Sequence, residues 1–327
     1  MIRVYRGNII ESEHHYHAAV VDNKGNLIYS YGDPDRQIFA RSSMKPFQAI
    51  PLVETGAADH FHYSDRELSI SCASHSGEPI HRETVLKILG RIGLSENALQ
   101  CGTHIPRDAE SYKELIRTGK SLTPVFSNCS GKHSGMLATA VYMSEDQDTY
   151  REISHPVQQR ILQSISDVFE MTRDDMPLGT DGCGVPAHTT PLNKLALAFA
   201  RLATPINGQA PHAEALKRIS QAMMAHPEMV AGKDRFDTDV MALAHGKIVA
   251  KAGAEGVQCV GLVDHGIGIA VKIEDGQHRG TSAVVLDILQ KLRIDLPGFQ
   301  DSEAYQDYLY PIITNTHGDI VGKIIVG

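Results

Sequence analysis

Segments with the pattern of β-strands lie at both ends of this 327-residue chain, and segments with the pattern of helices lie between them. Near the amino end, apolar runs at 17–21 and 27–31 flank 22–26, whose residues tolerate left-handed backbone, so this region predicts a β-hairpin. Further strands are predicted by short apolar runs separated by glycine and aspartate, at 247–252, 257–263, 266–273 and 320–326. This distribution limits the possible fold classes more than any other feature of the sequence.

The middle of the chain has the apolar periodicity of amphipathic helices. These helices are predicted at roughly 79–92, 110–118, 155–171, 190–203, 211–225 and 279–293. A further buried helix is predicted to begin at Ser42 and to end at Gly56. Strands that bracket a helical middle indicate an α+β fold, in which an antiparallel sheet forms from both chain ends and a helical lobe is inserted. We expect a single domain over 1–327, with the helical middle at about 75–230 as a candidate subdomain.

Composition and charge exclude several classes of protein. The net charge is −8 and the basic residues are scattered, so the chain has no electrostatic footprint for nucleic acid. No apolar stretch approaches the ~18 residues that a membrane helix requires. The first ten residues lack the features of a secretory signal, and an odd number of cysteines, five, argues against a disulfide framework. We therefore expect a cytoplasmic protein with reduced cysteines.

Ser42 and Lys45 stand three residues apart at the predicted start of the buried helix. Side chains at positions i and i+3 of a helix lie on one face and can meet. A serine hydroxyl is a poor nucleophile unless a neighbouring base takes its proton, and a lysine can be that base when its pKa is depressed. The two residues are therefore a candidate nucleophile and base. The pattern is short enough to occur by chance, so its interpretation depends on the rest of the chain.

Four polar, glycine-rich loops stand between apolar elements, and sites tend to be built on such loops. The loop 72–78 contains Ser74 and Ser76. For Ser76 the alternative interpretation is a helix N-cap, which leaves Ser74 as a hydroxyl without a capping role. The loop 251–256 begins with Lys251 at the end of a predicted strand, where a solvated lysine is the alternative to a site residue.

The other two loops carry groups that suit a small zwitterion. The loop 127–135 leads into an apolar helix, an arrangement typical of anion sites, and Lys132 and His133 add charge for a carboxylate. In the loop 179–184, Asp181 stands among glycines that let a ligand approach the backbone closely, and its carboxylate can bind an ammonium group. Together the four loops fit hydrolysis of an amide or ester of a small zwitterion.

Two of the cysteines are candidates for metal binding. Cys129 and Lys132 are spaced i and i+3, and with Cys183 they could hold a metal ion. Two packed, inert thiols are the alternative. Cys259 lies in an apolar run and is predicted to be a core residue. A histidine cluster near the amino end lacks partners at metal-ligand spacing and is interpreted as surface or core histidine: His14, His15 and His17.

These motifs resemble those of the Rhizobium-type L-asparaginases, the asparaginase II family, in the same order along nearly the whole chain. The segments that carry the resemblance are 41–47, 72–78, 128–135, 181–184 and 251–256. The resemblance implies a fold similar to that of the serine β-lactamases and the serine-dependent glutaminases. It also implies a homodimer that hydrolyses L-asparagine to L-aspartate and ammonia.

The resemblance further implies a role for each site residue. Ser42 would be the nucleophile with Lys45 as its base, and Ser74 and Lys251 would form a second Ser-Lys pair. The zinc ligands would be Cys129, Lys132 and Cys183, and the residues that bind or orient the substrate would be Arg41, Lys132, His133 and Asp181.

Alternatives of two kinds stay open. The same machinery could act on L-glutamine, on a β-lactam or on a peptide. L-Asparagine and L-glutamine differ by one methylene, which is worth only ~1–3 kcal/mol in a pocket. The loops could also bind an amino acid without turning it over. The segment 251–253 is similar to the Lys-Thr-Gly strand motif of the β-lactamases, but Ala252 replaces the hydroxyl residue that helps to hold their substrate's carboxylate. This difference disfavours the β-lactamase alternative.

Overall fold

The computed structural model describes residues 1–206 and 210–327. Its strands are β1 (Ile2–Arg6), β2 (Ile9–His14), β3 (Tyr16–Asp22), β4 (Leu27–Tyr31), β5 (Gln37–Phe39), β6 (Leu178–Thr180), β7 (Pro186–Pro191), β8 (Ile248–Gly253), β9 (Val257–Leu262), β10 (Ile267–Ile273), β11 (Ile312–Thr314) and β12 (Ile320–Val326). Its α-helices are α1 (Lys45–Gln48), α2 (Ile50–Glu54), α3 (Ala57–His60), α4 (Asp65–Ser71), α5 (Pro79–Arg91), α6 (Ala109–Thr118), α7 (Ser130–Tyr142), α8 (Pro156–Phe169), α9 (Leu192–Ala203), α10 (Ala213–Ala225), α11 (Pro227–Val230), α12 (Phe236–Leu243), α13 (Thr281–Lys291) and α14 (Glu303–Leu309). Short 3₁₀ helices lie at Arg41–Met44, Glu96–Ala98 and Pro124–Phe126.

The chain packs into two compact units. Unit 1 consists of Met1–Ser43, Thr190–Thr204 and Asp239–Gly327, and it contains most of the strands. Unit 2 consists of Met44–Thr189 and Pro205–Thr238, and it contains most of the helices. The single domain over 1–327 stays a prediction. None of the helices in the described ranges has the length and apolarity needed to cross a membrane.

The predicted amino-terminal hairpin is confirmed, because β3 and β4 pair antiparallel. Its turn is closed by Asp22, whose Oδ1 accepts hydrogen bonds from the backbone N–H groups of Lys24 and Asn26, both at 2.9 Å. Gly25 completes the turn with a φ of 91°, a conformation that is costly for residues with a Cβ. The hairpin continues into a five-stranded antiparallel sheet ordered β4-β3-β10-β9-β8, which includes three of the strands predicted from the second half of the chain.

The two chain ends form a second sheet in unit 1, ordered β11-β12-β1-β2. β1 and β12 pair antiparallel, with Ile2 opposite Val326. The predicted α+β class and the antiparallel pairing of the chain ends are therefore confirmed, although the strands predicted from the sequence divide between two sheets where one was predicted. The sequence pattern does not reveal β2 and β11, because these strands bury few side chains and lack a continuous apolar run.

Helix α9 packs directly on the five-stranded sheet through glycines of the strands. A Cβ on Gly268 in β10 would lie 1.9 Å from the carbonyl oxygen of Ala196, and a Cβ on Gly261 in β9 would lie 2.3 Å from that of Phe199. Neither position can hold a larger residue unless the helix moves, because these distances are far below van der Waals contact. The two glycines therefore set the spacing between α9 and the sheet.

In unit 2, helices α4 and α7 approach each other closely through Gly131 and Gly135. A Cβ on Gly131 would lie 2.2 Å from the carbonyl oxygen of Ile70, and a Cβ on Gly135 would lie 3.2 Å from the Oγ of Ser71. The first turn of α7 therefore lies against the last turn of α4. The polar loops 72–78 and 127–135 adjoin these two helix ends.

The six predicted amphipathic helices are all present, and none of their ends differs from the prediction by more than two residues. The helix predicted from Ser42 to Gly56 is different, because it divides into a 3₁₀ helix, α1 and α2. Pro51 has no N–H group to donate to the carbonyl of Phe47, which interrupts the helical hydrogen bonds near Ala49. Only the predicted end at Gly56, which has a left-handed φ of 87°, agrees with the structure.

Gly268→Ala is predicted to destabilise the protein strongly. The new methyl group would clash with the α9 backbone, so we expect the free energy of unfolding to fall by about 3 kcal/mol or the chain to fail to fold. Denaturant titration followed by circular dichroism measures this change.

The matched control is Gly90→Ala in α5, where a Cβ would meet nothing within 4 Å. That substitution should raise the free energy of unfolding by about 0.5–1 kcal/mol, because alanine favours helix more than glycine does. Equal stability of the Gly268→Ala variant and the wild type would contradict the close packing of α9.

Candidate active site

The amine of Lys45 is the centre of a buried polar cluster in unit 2. Lys45 is fully buried, and its Nζ contacts the carbonyl oxygen of Ala73, the Oγ of Ser74 at 3.1 Å and the carbonyl oxygen of Asn128 at 3.3 Å. An ammonium group has three N–H donors, so these three acceptors satisfy it completely. The structure thus brings together Lys45 and Ser74, which the family resemblance assigns to different Ser-Lys pairs.

The loop that carries Ser74 is bound to the end of α11 and the residue after it. The backbone N–H of Ser74 donates to the carbonyl of Val230 at 2.8 Å, and the hydroxyl of Ser76 donates to the carbonyl of Ala231 at 2.7 Å. The N-cap of α5 is Glu78. The interpretation of Ser76 as an N-cap is therefore wrong, because its hydroxyl is bound to another segment.

His75 joins this loop to the start of α7, a role that the sequence pattern did not predict. Its Nδ1 accepts a hydrogen bond from the backbone N–H of Gly77 at 3.1 Å, so its proton lies on Nε2, 2.9 Å from the Oγ of Ser130. Burial holds the pKa of His75 well below its usual range, and His81 and Lys45 add to this effect. The only sequence signal for His75 is its position between two serines of the polar loop.

Lys132 lies in a second polar group in unit 2, together with two cysteines. Its Nζ donates to the Sγ of Cys183 at 3.1 Å. Burial alone would lower the pKa of Lys132, but Cys183, Cys129 and the Asp181 carboxylate raise it above its usual value. The lysine is therefore held as an ammonium group beside the sulfur atoms.

The two thiols share a hydrogen bond that separates their pKa values. The bond from Cys183 holds the pKa of Cys129 well below its usual range, and the charges on Lys45 and Lys132 add to this effect against burial. The same bond, with burial, raises the pKa of Cys183. The shared hydrogen bond therefore favours loss of a proton from Cys129 over loss of one from Cys183.

The turn between β6 and β7 carries both Asp181 and Cys183. The backbone N–H of Asp181 donates to the carbonyl of Val185 at 2.9 Å, and its Oδ1 accepts a hydrogen bond from the N–H of Gly182 at 2.8 Å. β6 and β7 pair antiparallel on either side of this turn. The hairpin therefore fixes the segment that brings Cys183 to Lys132.

His133 is fully buried in the first turn of α7, where its Nδ1 lies 2.6 Å from the hydroxyl oxygen of Tyr150. Burial holds the pKa of His133 well below its usual range, and the charges on Lys132 and Lys45 lower it further. The ring is therefore neutral. It can bind a substrate as a hydrogen-bond donor or acceptor, while the positive charge of this region lies on the lysines.

His188, on β7, is a second buried histidine that the sequence pattern did not predict. Burial lowers the pKa of His188 to about 4, with Lys132 adding to the effect and Asp181 opposing it. Neither ring nitrogen has a hydrogen-bond partner within the described ranges. His188 stands alone among apolar and hydroxyl residues, so no sequence motif marks it as a functional residue.

Arg41, Ser42 and Lys251 lie in unit 1. Arg41 begins the 3₁₀ helix with a φ of 52°, and Ser42 follows it. Lys251 is fully buried in β8, so its interpretation as a solvated strand-end lysine is wrong. β8 passes close to Ala40, the residue before Arg41. A Cβ on Gly253 in β8 would lie 2.7 Å from the carbonyl oxygen of Ala40.

Comparison with protein-family models gives one match, described as L-asparaginase II, over residues 2–326. The chain belongs to the L-asparaginase II family. The family resemblance of the loops is thereby confirmed. A search of curated proteins found no significant match.

Solved structures similar to this L-asparaginase II chain include Mglu in its native form, with 16% identity and a TM-score of 0.47 over 88% of this chain and 67% of Mglu. Mglu in its glutamate form has 15% identity and a TM-score of 0.48 over 88% of this chain and 62% of Mglu. A β-lactamase from Mycobacterium bovis has 13% identity and a TM-score of 0.43 over 84% of this chain and 94% of that chain. The chain thus spans about two thirds of the length of Mglu.

In this family member, the donors that could hold zinc are Cys129, Lys132 and Cys183. Two sulfur atoms and an amine give three protein ligands and leave a fourth position for water or substrate, as in many zinc sites. The donor set fits the metal because Cys129 already favours its thiolate, although Lys132 would have to release a proton. Within the described ranges, no group of three His, Cys, Asp or Glu side chains is arranged to bind a metal, so the lysine is needed as the third ligand. The zinc site stays a prediction.

His188 is predicted to make the protein less stable in acid. Its pKa falls from 6.5 to about 4 on folding, so between these values the unfolded chain binds a proton that the folded chain does not. The free energy of unfolding should therefore fall as the pH is lowered from about 7 to about 4, by on the order of 3 kcal/mol from this residue. Denaturant titrations at several pH values should show a shallower pH dependence for His188→Gln.

The control is His265→Gln, which changes an exposed histidine outside this cluster. This variant should retain the pH dependence of the wild type. An unchanged pH dependence for His188→Gln would show that the ring is not held neutral by burial.

Proposed function

We propose that this chain hydrolyses L-asparagine to L-aspartate and ammonia through a serine acyl-enzyme. The observation that carries the proposal is the fully buried contact of Lys45 Nζ with Ser74 Oγ at 3.1 Å, in a chain that belongs to the L-asparaginase II family. A buried amine beside a hydroxyl is an arrangement that can activate a serine. Family membership supports an amidohydrolase that acts on a small molecule.

In the proposed first step, the Oγ of Ser42 attacks the carbon of the side-chain amide. A carbon–oxygen bond forms, and the hydroxyl proton passes to a lysine amine. Lys45 is the proposed base, since it lies three residues after Ser42 and its Nζ faces a second hydroxyl, that of Ser74. Collapse of the intermediate breaks the carbon–nitrogen bond, and the departing nitrogen takes a proton and leaves as ammonia.

Lys45 can act as a base only after it loses a proton. In the structure described, its amine contacts Ser74 Oγ and two carbonyl oxygens. A second amine in the site could take the proton in its place, because like charges in one site disfavour ionisation of both groups. We propose Lys251 for this role, paired with Ser74 as the family resemblance implies. Its full burial supports an amine that can become neutral.

In the proposed second step, water attacks the acyl carbon and releases L-aspartate. The same lysines take the proton of the water and return one to Ser42, so the enzyme is regenerated. Backbone N–H groups at the start of the 3₁₀ helix are the proposed donors to the oxyanion that forms in both steps. While no zinc is bound, the ammonium group of Lys132 adds positive charge for the same purpose.

We propose that Arg41, Lys132, His133 and Asp181 bind the two ends of the amino-acid substrate. Lys132 and Arg41 suit the carboxylate, and Asp181 suits the ammonium group, because each pairing joins opposite charges. The electrostatic contact between Asp181 and Lys132 supports their place in one site. The affinity difference between L-asparagine and L-glutamine would depend on the depth of this site.

When bound, zinc would hold the turn that carries Cys183 against the first turn of α7 and would restrict the side chain of Lys132 to one position. The protein residues that keep this region in place without it are Lys132 and the two thiols. A homodimer and a cytoplasmic location are further proposals that rest on the family resemblance and on the sequence.

Ser42→Ala is predicted to abolish ammonia release from L-asparagine. Loss of the nucleophile should lower kcat by about 10⁴-fold or more. A coupled assay of ammonia measures the rate, and circular dichroism checks the fold. Undiminished turnover would exclude Ser42 as the nucleophile.

The matched control is Ser43→Ala, which removes the neighbouring buried hydroxyl. The Oγ of Ser43 donates to the carbonyl of Ala40 at 2.6 Å, so its loss should affect stability by about 1 kcal/mol and leave turnover close to that of the wild type. Mass spectrometry of a trapped acyl-enzyme would then locate the adduct. An adduct on Ser74 would reverse the roles proposed for the two serines.

Protein purified without chelators is predicted to contain roughly one zinc ion per chain. Cys183→Ala should lose the metal because it removes one of three ligands, and elemental analysis measures the content. The control is Cys259→Ala, which changes a buried thiol of β9 outside the cluster and should keep the metal. Full activity in wild-type protein without zinc would restrict Cys129 and Cys183 to a structural role.

A further inference from the structure

The imidazole of His133 has one bonded nitrogen and one unbonded nitrogen, and both are buried. Nδ1 lies 2.6 Å from the hydroxyl oxygen of Tyr150. Nε2 has no hydrogen-bond partner within the described ranges. The great majority of buried polar atoms in proteins form hydrogen bonds. A buried nitrogen without a hydrogen bond, next to the proposed site residues, therefore indicates a possible function.

The hydrogen bonds of Tyr150 decide which nitrogen of His133 carries the proton. The phenol oxygen accepts a hydrogen bond from the backbone N–H of Gln100 at 2.9 Å. An amide N–H can only donate, and Nδ1 of His133 is the one other hydrogen-bond partner of the hydroxyl within the described ranges, so the phenol proton is bonded only if Nδ1 accepts it. Nδ1 is then an acceptor without a proton of its own, and the ring proton must lie on Nε2.

The Nε2–H group of His133 belongs to unit 2, which also contains Lys132 and Asp181, two of the proposed substrate-binding residues. His133 follows Lys132 directly, and its backbone N–H donates to the carbonyl of Cys129 at 3.0 Å in the first turn of α7. Tyr150 itself is fully buried, so both rings are held in place by the packing around them. Their rings meet edge to face, with centroids 5.5 Å apart.

We propose that Tyr150 is a positioning residue that fixes His133 in the tautomer protonated on Nε2, and that this N–H group donates a hydrogen bond to an oxygen atom of the amino-acid substrate. The inference rests on the proposed function and deepens it, because it names the atom through which His133 acts. His133 then serves as a neutral, preoriented donor. Tyr150 acts through His133 and does not itself touch the substrate.

The tautomer can be measured by nitrogen NMR on protein labelled with ¹⁵N-histidine. In the wild type, Nε2 should carry the proton and Nδ1 should have the chemical shift of a bonded acceptor. Tyr150→Phe removes the phenol proton, so His133 should become a mixture of tautomers. A wild-type ring that is protonated on Nδ1, or on both nitrogens, would overturn the proposal, as would an unchanged tautomer in Tyr150→Phe.

The matched control is Tyr63→Phe, which removes another buried phenol of unit 2. The hydroxyl of Tyr63 has no hydrogen-bond partner within the described ranges, so its loss should leave the His133 resonances unchanged. A change in those resonances equal to that of Tyr150→Phe would mean that they report general packing, and the role of Tyr150 would be rejected.

The donor role is tested by adding L-asparagine to the Ser42→Ala variant, which should bind without turnover. Saturation should shift the Nε2 resonance of His133. Turnover by the wild type together with an unshifted Nε2 resonance would overturn the donor role while the proposed function stands. Absence of turnover in the wild type would reject the proposed function, and the tautomer measurement would still decide the role of Tyr150.

Two substitutions at His133 give a kinetic test that does not depend on the folding of Tyr150→Phe. His133→Gln places an amide N–H near the Nε2 position, whereas His133→Asn places one near the Nδ1 position. KM for L-asparagine should rise roughly tenfold or more in His133→Asn, the loss expected for one hydrogen bond to a charged group, and less in His133→Gln. Equal effects of the two substitutions would contradict donation from Nε2.

Discussion

The full burial of the Lys45 amine is the constraint on which the polar site of unit 2 depends. A buried ammonium group without acceptors is too costly for a folded protein, so the chain has to bring oxygen atoms to it. The carbonyls of Ala73 and Asn128 and the hydroxyl of Ser74 meet this requirement. Because these acceptors come from two separate loops, one amine holds the candidate serine and the start of α7 in a single buried region.

That convergence is possible because α4 and α7 lie unusually close together at Gly131. The first turn of α7 then brings Lys132 into the same region, where the cysteine pair balances part of its charge. Burial and the nearby lysines in turn keep His133 neutral. The region therefore carries fixed positive charge from lysines and neutral donors from histidine, a combination that favours an anionic group or an oxyanion.

These properties suit the proposed acyl transfer, and membership of the L-asparaginase II family supports an amidohydrolase. A serine amidohydrolase needs an amine that exchanges protons with a hydroxyl, and Lys45 with Ser74 supplies that contact. It also needs donors fixed before the substrate arrives, because preorganisation lowers the cost of stabilising the oxyanion. The bond between Tyr150 and His133 is one such device, because it selects a tautomer before any ligand is present.

The sequence by itself determined the α+β class, the six amphipathic helices and the family, because periodicity and short motifs are local properties of the chain. It could not find β2 and β11, which bury too little to show an apolar run, nor the interruption of the helix after Lys45. Only the tertiary structure decided that Lys45 meets Ser74, which is 29 residues away in the chain, and that Lys251 is buried. Those contacts depend on how helices and strands pack against each other. The sequence of a single segment does not show which distant residue a buried amine will contact.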